Sequence, residues 1–197
     1  MTTIESLERF TPLSTASRAL IIDSTVLIEV PKHTQLVAAG DICTDAYFVE
    51  KGLARVYCQE KKYNEMVSIT SWFAQEGGVL SSIDSFLTQK PSNEYIEIIE
   101  DCTLRVLPHV VLKEIWEEQP DICKAFIRLY EQYIMVYERR IHKLMRIKDP
   151  VLRYLFFLKL YPTLVNRISL KYIASYLDMS AETLSRVRRE IMEKKLL

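Results

Sequence analysis

The chain has 197 residues, 49% hydrophobic and 26% charged, and its 26 Lys/Arg balance 26 Asp/Glu to a formal net charge of zero. That is the profile of an ordinary soluble globular protein with length for one large domain or two small ones. The longest apolar run, "YLFFLKLY", falls far short of the ~20 residues of a membrane helix. "MTTIESLERF" carries acids and no apolar stretch, so no secretion signal is expected and the expected location is cytoplasmic.

Taken in chain order, the first 24 residues predict short helices, one over Ile4–Phe10 broken by Pro12 and one capped by Ser14 and running to Ile22. From Thr25 the pattern turns to β. "TVLIEV", "TQLVAA", "AYFVE", "LARVYC", "EMVSITSWF", "EYIEII" and "CTLRVL" predict seven or more short strands. Turn signals separate them at Pro31–Lys32, Gly40–Asp41, Lys51–Gly52, Tyr63–Asn64 and Pro91–Ser92. Such spacing predicts an antiparallel barrel or roll.

After Pro108 the period becomes helical. "HVVLKEIWEEQ" predicts a short helix, and Pro120 suits the first position of a longer one. Along that helix Ile127, Tyr130, Ile134, Tyr137, Ile141 and Leu144 alternate by three and four. Ile122, Phe126, Leu129, Tyr133 and Val136 form a second stripe. One stripe would cover the β-domain, and the other points to a parallel coiled-coil homodimer, with burial inside one subunit as the alternative. Asp149–Pro150 stops this helix and starts another, which ends at about Tyr161.

The zero net charge conceals an asymmetry. Residues 139–197 hold 14 Lys/Arg and 5 Asp/Glu, a net of +9, leaving −9 on residues 1–138. The basic part contains "ISLKYIASYLDMSAETLSRVRRE", two predicted helices, Ser169–Leu177 and Ala181 to about Glu193, joined by "DMS" in the manner of a helix-turn-helix. Leu170, Ile173, Ala174 and Leu177 make one apolar face, and Leu184, Val187 and Ile191 the other. At 100° per residue, Glu182, Ser185, Arg186 and Arg189 fall opposite. Ser180 suits the N-cap. Arg186 has the fork for guanine O6 and N7, and Glu182 can accept from cytosine N4. Ser180 and Thr183 suit phosphate oxygens near the helix start. The competing reading makes Glu182–Arg186 an ordinary surface pair at i,i+4. The partner expected is double-stranded DNA with a palindromic site, because a dimer presents two such helices about one turn apart.

Cys43, Cys58, Cys102 and Cys123, and His33, His109 and His142, are scattered without metal spacing. No disulfide, metal site or iron–sulfur centre is expected. No nucleophile–base pair or phosphate-cradling loop is evident, Gly77–Gly78 reading as a turn, so no catalytic residue is assigned and no enzyme is expected.

With these residues in place, the chain resembles the Crp/Fnr transcriptional regulators. The likeness runs through "VAAGDICTDAYFVEKGLARVYC", "SSIDSFLTQKPSNEYIEIIEDCTLRVLP" and, most specifically, "IASYLDMSAETLSRVRREI". It implies an α+β fold: an antiparallel, jelly-roll-like β-roll of the cyclic-nucleotide-binding type, a long dimerisation helix, and a C-terminal helix-turn-helix domain. The corresponding boundaries are 1–118, 119–147 and 148–197. By the same likeness Glu182, Ser185 and Arg186 read bases, and RNA polymerase is a further expected partner. "EKKLL" stands where the family has a β-hairpin wing, so the wing is expected to be absent, or reduced to Asn166–Ser169.

In family members that bind cyclic AMP, a Gly-Glu pair holds the ribose and an Arg-Ser pair the phosphate. By register these fall at Ser81–Ser82 and Ser92–Asn93, without the acid or the cation. Cyclic nucleotide is therefore disfavoured, no cofactor is assigned, and any effector is unidentified. A pocket for one would be lined by Gly78, Ser81, Ser82, Ile83, Ser92, Asn93, Tyr130 and Ile134, for which plain core packing is the alternative. The rival function is a ligand-responsive β-roll module whose C-terminal helices contact a protein instead of DNA.

Overall fold

The computed structural model describes residues 2–62 and 64–194, the side chains of 143–145 excepted. The chain divides into two compact units. One runs to Gln59 and resumes at Ser71–Tyr133; the other joins Glu60–Thr70 to the chain from Ile134 on.

In the first unit, Thr2 and Glu5 form a capping box that starts α1 (Thr3–Glu8), and Ser14 caps α2 (Thr15–Asp23) through the Ser17 amide. These are the local signals read from the sequence. Among the described residues the sheet has six strands, β1 (Val26–Val30), β2 (Gln35–Val37), β3 (Asp45–Lys62), β4 (Glu65–Gln75), β5 (Val79–Leu80) and β6 (Tyr95–Pro108). Their order is β1-β6-β3-β4, with β2 also on β6 and β5 on β3. β6 runs antiparallel to β1, β2 and β3. Helix α3 (Ile83–Thr88) interrupts the strands before β6, and α4 (His109–Glu118) follows them.

The strands are fewer and longer than expected. "AYFVE" and "LARVYC" lie on the single strand β3, and "EYIEII" and "CTLRVL" on β6. The Lys51–Gly52 signal marks a bulge instead of a chain reversal, with register shifts on both sides of Lys51 against β6. Gly52 sits at φ +98, and a Cβ there would strike the Asp101 carbonyl oxygen and the Cys102 side chain. Only glycine keeps the strand continuous at this point. The expected turn at Tyr63–Asn64 falls partly outside the described residues at Tyr63; Asn64 adopts φ +70.

Helix α5 (Pro120–Arg146) begins at the predicted proline. The Asp121 carboxylate accepts the Ser14 amide at 2.9 Å and the Ser17 hydroxyl at 2.7 Å, tying α2 to the start of α5. Ile122 and Phe126, from one predicted stripe, are buried in the roll's core, where Phe126 meets Phe48 and Trp116 edge-on. The other stripe is uncovered at Ile127 (51% exposed), Ile134 (62%) and Tyr137 (40%), while Tyr130, packed against the roll's core, and Ile141 are half-buried. Leu144, the last member of that stripe, has its side chain outside the described residues.

The second unit contains α6 (Pro150–Leu160), α7 (Leu170–Tyr176) and α8 (Ala181–Glu193). Asp149 caps α6, with Pro150 in its first turn. Phe157, Tyr161 and Tyr176 meet pairwise at centroid distances of 5.3–5.7 Å and form the centre of the core beneath α7 and α8. Residues 162–168 are turns, and Ser169 serves as the N-cap of α7, so no strand forms at Asn166–Ser169 to make a reduced wing. Among the described residues no helix is long and apolar enough to cross a membrane.

Candidate nucleic-acid interface

The apolar faces of α7 and α8 are buried at Ile173, Ala174 and Leu177 on one, where Leu170 is half-buried, and at Leu184, Val187 and Ile191 on the other. Each of the buried Ile, Leu and Val side chains stabilises the pair by about 1.5–3 kcal/mol, far more than the surface charges opposite. Between the helices Asp178 takes φ +50, the left-handed conformation that a glycine commonly supplies and aspartate tolerates. The Met179 amide returns to the Ala174 carbonyl at 3.1 Å, closing the end of α7.

The side chain that holds this turn comes from α6. Arg153 donates through Nη1 to the carbonyls of Leu177 (3.0 Å) and Asp178 (3.2 Å), and through Nε to that of Ile147 (2.6 Å). The sequence showed Arg153 only as one positive charge among fourteen. Carbonyls at a helix end lack intrahelical partners, and a guanidinium fork satisfies several at once.

At the start of α8 the Thr183 amide donates to Ser180 Oγ at 3.1 Å, confirming the cap read from the sequence. The Ser180 and Thr183 hydroxyls lie 3.2 Å apart, and Arg186 Nη2 reaches Thr183 Oγ1 at 3.4 Å. Ser180, Thr183 and Arg186 are thus brought together. Glu182, Ser185, Arg186 and Arg189 are all exposed on one side of α8. The Glu182 carboxyl is held below the usual carboxylate range by its own amide, then by the Ser180 hydroxyl, and last by Arg186. The arrangement offers one fixed acceptor, two guanidinium forks and two hydroxyls on an open helix face.

In the β-roll the residues proposed for a pocket separate into two groups. Ser82 and Ser92 are buried and bonded, Ser92 Oγ donating to Ser82 Oγ at 2.8 Å and Ser82 Oγ to Glu94 Oε2 at 3.2 Å. Ser81 precedes them half-buried, Ile83 opens α3, and Asn93 is exposed. Gly78 closes a turn to the Gln75 carbonyl at 2.8 Å. Tyr130 is half-buried, its phenol pushed up to about 12 by burial. Ile134 belongs to the second unit.

Glu94 was not foreseen. Burial pushes its carboxyl up, opposed by hydrogen bonds from Ser82 and Ser71, with Asp84 adding to the rise. Among the described residues no Lys or Arg pairs with it. Its only signal in the sequence was its place two residues after Ser92, which reads equally as the start of a strand. Also among the described residues, no group of three His, Cys, Asp or Glu is gathered as a metal set.

The sequence profile of the cyclic nucleotide-binding domain family matches residues 27–119, from within β1 to just past the end of α4. Comparison with curated proteins finds no sequence match. Solved structures match along nearly the whole chain. CLP of Xanthomonas campestris, a c-di-GMP-responsive global regulator linking cell–cell signalling to virulence gene expression, is 15% identical. It superposes with a TM-score of 0.73 over 93% of this chain and 94% of its own. FixK2 of Bradyrhizobium japonicum gives 16% identity and a TM-score of 0.73 over 87% and 86%. TTHA1359, a Crp/Fnr-family transcriptional regulator of Thermus thermophilus, gives 18% and 0.67 over 86% and 87%.

The chain shares the fold of these solved structures. At such identities the likeness carries the architecture, the Crp/Fnr order of roll, long helix and helix-turn-helix. The chemistry of the site has to come from its own residues.

Proposed function

We propose that this chain is a homodimeric transcriptional regulator that reads double-stranded DNA through α8. The observation that carries the reading is the open face of Glu182, Ser185, Arg186 and Arg189 on a helix capped by Ser180. Arg186 and Glu182 address base edges in the major groove, with Ser185 beside them. Ser180, Thr183 and Arg189 take phosphate oxygens. The net +9 of residues 139–197 supplies the sequence-independent attraction.

The uncovered members of the α5 stripe that begins at Ile127 support the dimer. Ile127, Ile134 and Tyr137 repeat at seven and three residues, the spacing of a coiled-coil seam, and leaving them in water forfeits their burial energy. Two copies of α8 then address a palindromic site, and RNA polymerase is the further partner expected of such a regulator.

For the roll we infer an effector other than a cyclic nucleotide, or a scaffold role. A cyclic phosphate set at Ser82 and Ser92 would meet the Glu94 carboxyl without a compensating cation. Burying two like charges side by side is costly, so these residues do not fit that ligand.

The test is equilibrium binding to duplex DNA over a range of salt. The reading expects log K to fall linearly with log salt, and a selected duplex to outcompete random DNA by at least about a thousandfold. Absence of retention by any duplex at low salt overturns it and leaves the protein-contacting module.

A further inference from the structure

The described residues of 60–70, at the end of the β3–β4 hairpin, group with the helix-turn-helix residues in the second unit, while the rest of β3 and β4 belongs to the first. The chain therefore passes between the two units at three places, 59/60, 70/71 and 133/134. We propose that this tip is a clamp that positions the DNA-reading helix pair, with Ser175 and Arg140 as its positioning residues. The proposal rests on the DNA-binding reading above and names how that site is held.

Among the described residues β4 is the end strand of the sheet order, with no strand on its outer edge. Backbone groups on such an edge need another partner when they are covered. Ser175, one residue before the end of α7, supplies it. Its hydroxyl donates to the Ser68 carbonyl at 2.6 Å and accepts the Thr70 amide at 2.9 Å. Residues i and i+2 of a strand point these two groups the same way, and one hydroxyl takes both. A single side chain stands in for a strand.

Arg140 fastens the same place from α5. Its Nη2 donates to the Thr70 carbonyl at 2.9 Å and to the Tyr176 carbonyl at 3.3 Å. The guanidinium also lies 4.3 Å from the centroid of the Tyr176 ring. With only 8% of the residue exposed, such a charge is tolerable only because carbonyls and a ring face surround it. Hairpin tip, α5 and the last turn of α7 are thereby joined, immediately before the turn that sets the direction of α8.

The clamp leaves the reading face open, since Glu182, Ser185, Arg186 and Arg189 all remain exposed with the tip seated. It is therefore a positioner and not a lid. With the tip released, α7 loses the Ser175 bonds that seat it within the second unit. The reading helices then sample more orientations, of which DNA accepts few, and apparent affinity falls by the fraction lost.

Ser175→Ala removes both tip bonds, and Ser175→Cys is nearly isosteric with a weak donor; Ser175→Thr keeps the hydroxyl. Each is measured for binding to a selected duplex and to a panel of single-base-pair variants of it, for amide exchange at residues 66–70, and for melting. Ser175→Ala and Ser175→Cys are expected to bind every duplex roughly three- to tenfold more weakly, with base preferences unchanged, tip exchange accelerated and melting close to the parent. Ser175→Thr is expected to bind within about twofold of the parent. Fast tip exchange with parental affinity overturns the clamp, as does a change confined to one base pair. A parent protein with no duplex preference overturns the DNA reading itself, and is recognised before any variant is compared.

Discussion

The Arg153 guanidinium donates to the Asp178 carbonyl at 3.2 Å, so the turn of the helix-turn-helix is held by a residue that precedes the motif by one helix. The same nitrogen reaches the Leu177 carbonyl at 3.0 Å. Arg153→Ala is expected to destabilise the second unit by about 1–3 kcal/mol, the range for charge-assisted bonds to a half-buried turn. Arg153→Lys recovers only part of this, because an ammonium cannot reproduce the fork. Denaturant unfolding reads the effect as a lower midpoint at unchanged slope.

Arg186 lies on the exposed side of α8, with Thr183 Oγ1 at 3.4 Å. Arg186→Ala is expected to leave the fold intact, to cost about 1–3 kcal/mol on the cognate duplex, and to relax preference at one base pair per half-site. Competition titrations with single-base-pair variants check this. A uniform loss across all sequences assigns Arg186 to phosphate instead.

Ile134 is 62% exposed on α5. Replacing it with Glu removes no core contact from the single chain but places two carboxylates at a coiled-coil seam. Ile134→Glu is expected to weaken self-association by about ten- to a hundredfold, from lost burial of roughly 1.5–3 kcal/mol. Sedimentation over a concentration series measures it, and melting of the dissociated chain should be unchanged.

Burial raises the Glu94 carboxyl while Ser82 and Ser71 hydrogen bonds oppose the rise. A carboxyl with a raised folded pKa contributes stability that is present below its unfolded value and is lost as pH rises through the folded one. At neutral pH, above the unfolded value, Glu94 is therefore a cost to the folded state. Glu94→Gln is expected to be more stable than the parent near pH 7, with the advantage vanishing by about pH 4, where both side chains are neutral. Melting across that interval tests the sign.

What was legible in the sequence was local. Ser14, Ser180, Pro120 and Pro150 start helices through bonds or fixed torsions within a few residues, and the periodicity of α7 and α8 shows directly which sides are buried, while that of α5 marks two stripes without saying which one the roll covers. Misreadings arose where a local signal had a distant cause. Gly52 looked like a turn because the backbone of Asp101–Cys102, which requires it to be glycine, is some fifty residues away. Helix α3 has only six residues, too few to show a period.

The site divides in the same way. Ser180, Glu182, Ser185 and Arg186 belong to one helix and were found together. Arg140, Arg153, Ser175 and Glu94 matter through partners up to 107 residues distant, and their residue types gave no hint. An arginine that satisfies carbonyls is indistinguishable in sequence from one that faces solvent or phosphate.

The central claim is that α8 reads DNA as one of a symmetric pair. Selection of bound duplexes from a random pool by the full chain tests it most directly. The account predicts enrichment of an inverted repeat with half-site centres about one helical turn apart, lost when Arg186 is replaced by Ala. A pool that emerges unenriched, or a protein that binds all duplexes alike, contradicts it.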